Sequence, residues 1–243
     1  MTKAKPHNPP PPTSMPVTLS FIPEKGHLML PIGGRMALID TGSPTSISSL
    51  PFDFGGTLHT PPSQMMGLTT KELGDLAGIQ IDILIGCDIL SEYKIRIRWQ
   101  EHCIDIGNDT PDGTTVDPME SMMGCPVFPL QIGNRETKAI FDTGAHLSYI
   151  SPALIAGIPQ SGEKEDFHPI NGHFTAPTYN VETTLGGKNF TMVYGTLPGL
   201  LGMSTDMAMS MSSSSAVIGT QLLEYFDCTL LRRCSQKPGR AHA

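Results

Sequence analysis

The chain has 243 residues, and its 23 Asp and Glu against 16 Lys and Arg give a formal net charge of −7. Nucleic acids and anionic membranes are bound through clustered Lys and Arg side chains, so this charge disfavours both as partners. No stretch approaches the roughly 20 consecutive apolar residues that a transmembrane helix needs, which argues against a membrane-spanning protein.

The chain begins with the proline-rich sequence MTKAKPHNPPPPT, and residues 1–14 are therefore predicted to form a disordered tail. This segment has no apolar run between its basic residues and its prolines, so it is not typical of a secretory signal. On this basis we expect a cytoplasmic protein.

Short apolar segments follow at close intervals through the first half, a pattern typical of an all-β domain. The predicted strands are residues 17–22, 27–32, 36–39, 79–85, 93–99 and 103–106. Residues 52–77 contain Pro61-Pro62 and several glycines. We therefore expect at most a compact loop there, with one or two short strands.

A polar, turn-rich stretch separates the two halves. Residues 107–124, GNDTPDGTTVDPMESMMG, have the composition of a linker. The sequence thus predicts an N-terminal lobe over residues 15–106, a C-terminal lobe over residues 125–235 and a short tail over residues 236–243.

The second half contains the strongest hairpin signal of the chain. Asn171-Gly172 lies in FHPINGHF, residues 167–174, and Asn-Gly is favoured in tight hairpin turns because their central residues need positive φ. Two further strands, residues 178–185 and 188–194, are predicted on either side of Gly186-Gly187.

The cysteines are odd in number and lack the spacing of a metal site. They are Cys87, Cys103, Cys125, Cys228 and Cys234. We expect free thiols in a reducing compartment, and neither a metal nor another cofactor. The alternative is a single bridge from Cys103 to Cys228 or Cys234.

The tripeptide Asp-Thr-Gly occurs twice, as Asp40-Thr41-Gly42 and Asp142-Thr143-Gly144, each at the end of an apolar run. The repeat is wider than the tripeptide, because each copy follows a similar strand and turn and precedes an apolar element that ends in Gly. The matching segments are LPIG and LQIG (30–33 and 130–133), ALID and AIFD (37–40 and 139–142), and ILIG and AVIG (83–86 and 216–219). The two halves therefore share one framework.

Two aspartates from related lobes provide a specific chemistry. Two carboxylates about a hydrogen bond apart do not both ionise readily, so one pKa rises and the pair shares a proton. The ionised member accepts a proton from water, and the protonated member donates to the carbonyl oxygen under attack. A hydrogen bond donated by the Ser43 hydroxyl would lower the pKa of Asp40, whereas Ala145 has no hydroxyl that could donate to Asp142. We therefore expect Asp40 to be the ionised partner.

With these motifs, the chain resembles the aspartic peptidases of the pepsin and retropepsin type over most of residues 17–235. The resemblance implies an all-β, bilobal acid-protease fold, with two pseudo-twofold related, β-barrel-like lobes and the active site between them. It implies that Asp40 and Asp142 are catalytic and that each threonine hydroxyl bonds to the opposite loop. The implied active-site loop residues are Thr41, Gly42, Ser43, Thr143, Gly144 and Ala145.

The resemblance also implies a flap, a hairpin that covers the substrate. Its residues would be Ile170, Asn171, Gly172, His173 and Phe174, in the C-terminal half. Pepsin-like enzymes carry their flap in the N-terminal lobe, so this chain resembles a fused pair of retropepsin-like units with one flap and reversed lobe order.

Three histidines lie near the expected cleft, but the chemistry does not require them. We expect His146, His168 and His173 to be exposed loop residues.

The function implied is that of a monomeric aspartic endopeptidase acting on a peptide or protein substrate. One alternative is a catalytically inactive peptide-binding or interaction module on the same fold. Another is a self-processing protease that acts chiefly on its own precursor.

Overall fold

The structure is a computed structural model that describes residues 17–107, 120–169, 172–197 and 214–230. Most of these residues lie in β-strands, and the two α-helices among them have eight and four residues. The predicted all-β, bilobal fold class is confirmed.

The first half contains twelve of the strands and both α-helices. Its strands are β1 (Val17–Ser20), β2 (Ile22–Glu24), β3 (His27–Ile32), β4 (Arg35–Ile39), β5 (Ile47–Ser48), β6 (Phe52–Phe54), β7 (Thr57–His59), β8 (Gln64–Met65), β9 (Leu68–Thr69), β10 (Ile83–Ile85), β11 (Ile95–Arg98) and β12 (Cys103–Ile106). Its helices are α1 (Thr70–Ala77) and α2 (Cys87–Leu90).

The second half contains the remaining described strands and two short 3₁₀ helices. Its strands are β13 (Glu120–Met122), β14 (Cys125–Ile132), β15 (Arg135–Phe141), β16 (Ser148–Ile150), β17 (Gly162–His168), β18 (Gly172–Leu185), β19 (Lys188–Gly195), β20 (Ala216–Ile218) and β21 (Cys228–Leu230). The 3₁₀ helices are Pro152–Leu154 and Thr220–Glu224.

The repeated sequence segments fold into the same unit twice. In the first half, the β3–β4 hairpin is extended by β10, which runs parallel to β4 and pairs Ile85 with Ile39. In the second half, the β14–β15 hairpin is extended by β20, which runs parallel to β15 and pairs Ile218 with Phe141. The first unit lies in a five-stranded sheet and the second in an eight-stranded sheet.

A third sheet joins the two halves. Its strand order is β1-β12-β11-β21, so the last described strand of the second half pairs with β11 of the first. In that pairing, Cys228 lies opposite Ile97. The main hydrophobic core is likewise shared, and includes Ile39 and Ile85 from one half and Phe141 and Ile218 from the other. Burial of each such side chain contributes about 1.5–3 kcal/mol to folding.

The prediction for residues 52–77 was wrong. The structure has four short strands there, β6 to β9, and the helix α1. Helix α1 starts with a capping box, in which the Thr69 side chain accepts from the Glu72 amide and the Glu72 carboxylate accepts from the Thr69 amide. Leu73 anchors the helix in a second core cluster. The Thr-x-x-Glu pattern is a known helix-start signal, so the sequence contained this information.

Several other predictions have clear outcomes. Gly186 and Gly187 turn between β18 and β19 with φ of 56° and 78°, as predicted. The end of the predicted linker forms β13, which pairs with β14. The predicted tails and most of the linker lie outside the described residues. Within the described ranges, neither α-helix is long or apolar enough to cross a membrane.

None of the cysteines that the structure describes forms a disulfide. These cysteines are Cys87, Cys103, Cys125 and Cys228. A bridge from Cys103 to Cys228 is therefore not formed, and Cys234 lies outside the described residues.

Candidate active site

Each Asp-Thr-Gly loop begins where a central strand of the repeated unit ends. The Asp40 amide donates to the Ile85 carbonyl at 2.9 Å, and the Asp142 amide donates to the Ile218 carbonyl at the same distance. These bonds continue the parallel strand pairing to the aspartates themselves. Both aspartates are therefore fixed by the sheets beneath them.

The two loops are cross-linked by their threonines, which are fully buried. The Thr41 hydroxyl donates to the Phe141 carbonyl at 2.7 Å and accepts from the Thr143 amide at 3.0 Å. The Thr143 hydroxyl donates to the Ile39 carbonyl at 2.7 Å and accepts from the Thr41 amide at 3.0 Å. This reciprocal arrangement gives the site its approximate twofold symmetry and sets the separation of the loops.

The glycines of the two motifs bring the carboxylates together. A Cβ atom on Gly42 would lie 2.2 Å from Cγ of Asp142, and one on Gly144 would lie 2.5 Å from Cγ of Asp40. Each carboxylate therefore packs directly on the glycine of the opposite loop, which no other residue type would permit. The Asp40 and Asp142 side chains are also close enough to interact electrostatically, and both line the same cavity.

Backbone amides orient both carboxylates. Oδ1 of Asp40 accepts from the amides of Gly42 and Ser43, each at 2.9 Å. Oδ1 of Asp142 accepts from the Gly144 amide at 2.9 Å. The pattern is again nearly symmetric.

Both carboxyl groups have raised pKa values. Burial is the largest cause for each, because it disfavours the charged form. The negative charge of Asp142 raises the pKa of Asp40 further, to well above its ordinary value. Two carboxyl groups in such an environment favour a state in which the pair binds one proton.

The expected role of the Ser43 hydroxyl was wrong. This hydroxyl donates to the Thr45 carbonyl at 2.8 Å and lies 3.6 Å from the Met65 sulfur, so it is turned away from Asp40. Only the Ser43 backbone amide contacts the carboxylate. The prediction that Asp40 is the ionised member therefore loses its physical basis, and the pKa of Asp40 is strongly raised instead.

The two glycine-terminated elements lie directly beneath the active loops. A Cβ atom on Gly86 would lie 2.8 Å from the Ser43 carbonyl oxygen, and one on Gly219 would lie 2.6 Å from the His146 carbonyl oxygen. Their amides donate to serine hydroxyls, from Gly86 to Ser46 at 2.8 Å and from Gly219 to Ser148 at 3.1 Å.

These two serines were missed by the sequence reasoning. Ser46 and Ser148 each stand six positions after the aspartate of their motif. The repeat could therefore have been extended to include them. In the first half, Asp88 continues the network, since its carboxylate accepts from the Ser46 hydroxyl at 2.6 Å.

A hairpin in the second half lines the same cavity as Asp40 and Asp142. Strands β17 and β18 pair from Gly162 opposite Thr178 to His168 opposite Gly172. Strand β17 also contacts helix α1 of the first half, so the hairpin reaches across both halves. We call this β17–β18 hairpin the flap.

The details of the flap differ from the prediction. Gly172 was expected at a central position of the hairpin turn. It has the positive φ of such a position, 74°, but it is a paired residue at the start of β18. His173 is exposed, whereas Phe174 is half-buried and lines the cavity above the aspartates. Ile170 and Asn171 lie outside the described residues.

The three histidines are not all exposed loop residues. His168 and His173 lie in flap strands, and His168 lines the cavity. His146 is half-buried, and its Nδ1 lies 3.2 Å from the Thr220 hydroxyl. Burial lowers the pKa values of His146 and His168, which favours their neutral forms.

The cavity between the lobes has a volume of about 310 Å³. Its floor includes Asp40 and Asp142, and most of its wall is apolar. Sequence reasoning missed a third acidic residue on this wall, Asp166 of the flap. Within the described ranges, no group of three or more His, Cys, Asp and Glu side chains is arranged to hold a metal ion.

Among known proteins, the chain matches solved structures only. No family model and no curated protein matches the sequence. The chain is similar to the protease of simian foamy virus (mac), studied in solution, with 12% identity over 40% of this chain and 90% of that chain and a TM-score of 0.29. It is also similar to a foamy viral protease-reverse transcriptase in complex with an RNA/DNA hybrid. That likeness has 15% identity over 43% of this chain and 12% of that chain, and a TM-score of 0.32.

Proposed function

We propose that the chain is an aspartic endopeptidase that hydrolyses peptide bonds with a water molecule activated between Asp40 and Asp142. The observation that carries this proposal is the placement of these two carboxyl groups at one cavity, each packed on the glycine of the opposite loop. Both carboxyl groups have raised pKa values, which supports a shared proton.

The mechanism follows from the shared proton. The ionised carboxylate of the pair takes a proton from the attacking water, and the protonated carboxyl group donates to the carbonyl oxygen of the scissile bond. The backbone amides of Gly42, Ser43 and Gly144 hold the carboxylate oxygens in place throughout. Because the threonine cross-links are buried, this geometry exists before substrate binds, which lowers the cost of reaching the transition state.

The shape and lining of the cavity support an extended peptide as substrate. Apolar side chains line it on both sides of the aspartates. They are Leu38, Met65, Leu73, Ile81 and Leu84 in the first half, and Tyr149, Phe174, Leu197 and Val217 in the second. A bound peptide would place apolar side chains against both walls and would be covered by the flap.

A single chain supplies the whole arrangement. One aspartate comes from each half, and β21 of the second half pairs with β11 of the first. We propose that the chain is a fused pair of retropepsin-like units with one flap, which acts as a monomer. In support, the unit of a hairpin plus a parallel strand occurs in both halves.

Cleavage of a peptide library across about pH 3 to 8, a range chosen around ordinary carboxyl pKa values, tests the proposal. Mass spectrometry would identify the scissile bonds, and the Asp142→Asn variant, purified in parallel, controls for contaminating proteases. We expect endoproteolytic products from the unaltered chain and none from the variant. Binding of library peptides without cleavage at any pH would instead support an inactive peptide-binding module, and cleavage of the chain itself alone would support self-processing.

A further inference from the structure

A third carboxylate faces the proposed substrate cavity. Among the described residues, Asp166 is the only acidic side chain that lines the cavity besides Asp40 and Asp142. It is half-buried and lies in β17, the first strand of the flap. The proposed hydrolysis uses two carboxylates, so Asp166 needs another explanation.

The Asp166 carboxylate is held in place by two donors. The Tyr149 hydroxyl donates to Oδ2, and the Phe167 amide donates to Oδ1 at 2.8 Å. Tyr149 lies in β16, beneath the flap, and its ring centroid is 6.3 Å from that of Phe174, which pairs with Asp166 across the flap. Burial, followed by the charge of Asp166, raises the pKa of Tyr149, so its hydroxyl remains a donor.

The negative charge of Asp166 has no cationic partner among the described residues. None of the salt bridges there includes this residue. His27 and His146 are close enough to interact with it electrostatically, but burial lowers the pKa values of both and favours their neutral forms. Asp166 lines the same cavity as Asp40 and Asp142, and after burial its charge also contributes to the raised pKa of Asp142.

An apolar wall adjoins this carboxylate. Tyr149 belongs to a hydrophobic cluster against which Phe174, Leu197 and Val217 pack, and all four side chains line the cavity. Lys and Arg side chains pack their methylene groups on such surfaces while the charged end reaches a polar partner. The wall and the carboxylate together match one long cationic side chain.

We propose that Asp166 selects peptide substrates that carry Lys or Arg within two residues of the scissile bond. This inference rests on the proposed function and names its substrate class. The cationic group would donate to the Asp166 carboxylate in a charge-assisted hydrogen bond. Because the carboxylate is half-buried, solvent and salt screen this interaction less than they would on an open surface. An acidic side chain at the same position would be repelled.

The test compares peptides that differ only in charge. Matched peptides carry Lys or norleucine at each of the two positions on either side of a scissile bond identified from the library. Their kcat/KM values are measured at about pH 5.5, above the reference aspartate pKa of about 3.9. At one of these positions we expect the unaltered chain to prefer Lys by at least about tenfold, near the lower limit for a hydrogen bond to a charged group.

Two variants separate charge from structure. Asp166→Asn removes the charge but keeps an oxygen that accepts from Tyr149. The Lys and norleucine peptides should then have about equal kcat/KM values, and the norleucine peptides should still be cleaved. Glu165→Gln removes a charge from the neighbouring exposed position on the same strand and should leave the preference unchanged. An unchanged preference in Asp166→Asn, or no preference in the unaltered chain at any position, would overturn the inference.

A binding measurement keeps this test independent of turnover. Library peptides that bind are made in pairs with Lys or norleucine at one position, and each pair is titrated by calorimetry into the Asp40→Asn variant with and without Asp166→Asn. Tighter binding of the Lys peptide that disappears with Asp166→Asn would support the inference even if no peptide is cleaved, in which case the proposed hydrolysis alone would fail. Equal affinities for both peptides in the Asp40→Asn background would count against Asp166.

Discussion

Thr41 and Thr143 each accept a hydrogen bond from the other's backbone amide at 3.0 Å. Each hydroxyl also donates to a carbonyl of the opposite half, that of Phe141 or Ile39, at 2.7 Å. The two side chains thereby satisfy four backbone groups that would otherwise be buried without partners. The position of each aspartate therefore depends on the threonine of the other half.

We expect Thr143→Val to reduce both stability and activity. Valine has nearly the same shape but leaves the Thr41 amide and the Ile39 carbonyl buried without partners, which should lower the free energy of unfolding by about 2–5 kcal/mol. Urea denaturation measures this loss. Turnover of a library-derived peptide should also fall, because the loops lose their fixed separation.

The matched variant for this prediction is Thr143→Ser. Serine keeps the hydroxyl and loses only a methyl group, so most of the stability and turnover should remain. If Thr143→Ser were as damaging as Thr143→Val, methyl packing would explain the effect and the cross-link would not.

A second prediction concerns the joint action of the two aspartates. Asp40→Asn and Asp142→Asn should each lower kcat by at least about a thousandfold, because either change removes a group that must exchange the shared proton. The double variant should be little worse than either single variant, since groups that act as a unit have non-additive effects. Substantial kcat in one single variant, at verified purity, would contradict the pairing.

A third prediction separates the Ser43 side chain from its backbone. Because the hydroxyl donates to the Thr45 carbonyl and the backbone amide contacts Asp40, Ser43→Ala should leave the acidic limb of the kcat/KM profile in place. The lost hydrogen bond should reduce the free energy of unfolding by about 0.5–1.5 kcal/mol. A shift of the acidic limb in this variant would mean that the hydroxyl reaches Asp40 in solution.

The sequence predicted the features that repeat and those that follow strand periodicity. The repeat of two apolar hairpins that each end in Asp-Thr-Gly predicted two related lobes, and the resemblance to aspartic peptidases implied the all-β, bilobal fold. The Gly186-Gly187 turn followed equally directly, since positive φ at two successive positions favours glycine.

Other features depend on tertiary contacts that no local pattern contains. The Ser43 hydroxyl had two possible acceptors, and in the structure it donates to the Thr45 carbonyl while the Ser43 amide donates to Asp40. Asp166 stands in the sequence GEKEDFH among other charged residues, and only the fold of the flap separates it from its exposed neighbours. Helix α1 was missed for a different reason, because the two prolines and the glycines of its segment obscured its capping box.

The last prediction is that Asp40→Asn stabilises the fold at neutral pH. The pKa values of Asp40 and Asp142 are raised in the folded state by burial, and that of Asp40 also by the Asp142 charge. The folded state therefore binds more protons than the unfolded state above the reference pKa of about 3.9, so this pair makes stability fall as pH rises from there through the raised values. Asn at position 40 carries no charge and can donate to Asp142, which removes that cost. Its Tm advantage over the unaltered chain should thus grow from near zero at about pH 3.5 to a maximum near pH 7.

Asp105→Asn is the control of opposite sign, because hydrogen bonds from Arg98 lower the pKa of Asp105. This variant should be less stable than the unaltered chain at neutral pH, and the difference should shrink on acidification. Thermal melts of both variants from about pH 3.5 to 7 measure the two differences in Tm. If the Tm of Asp40→Asn at pH 7 were at or below that of the unaltered chain, the two carboxyl groups would not share a proton.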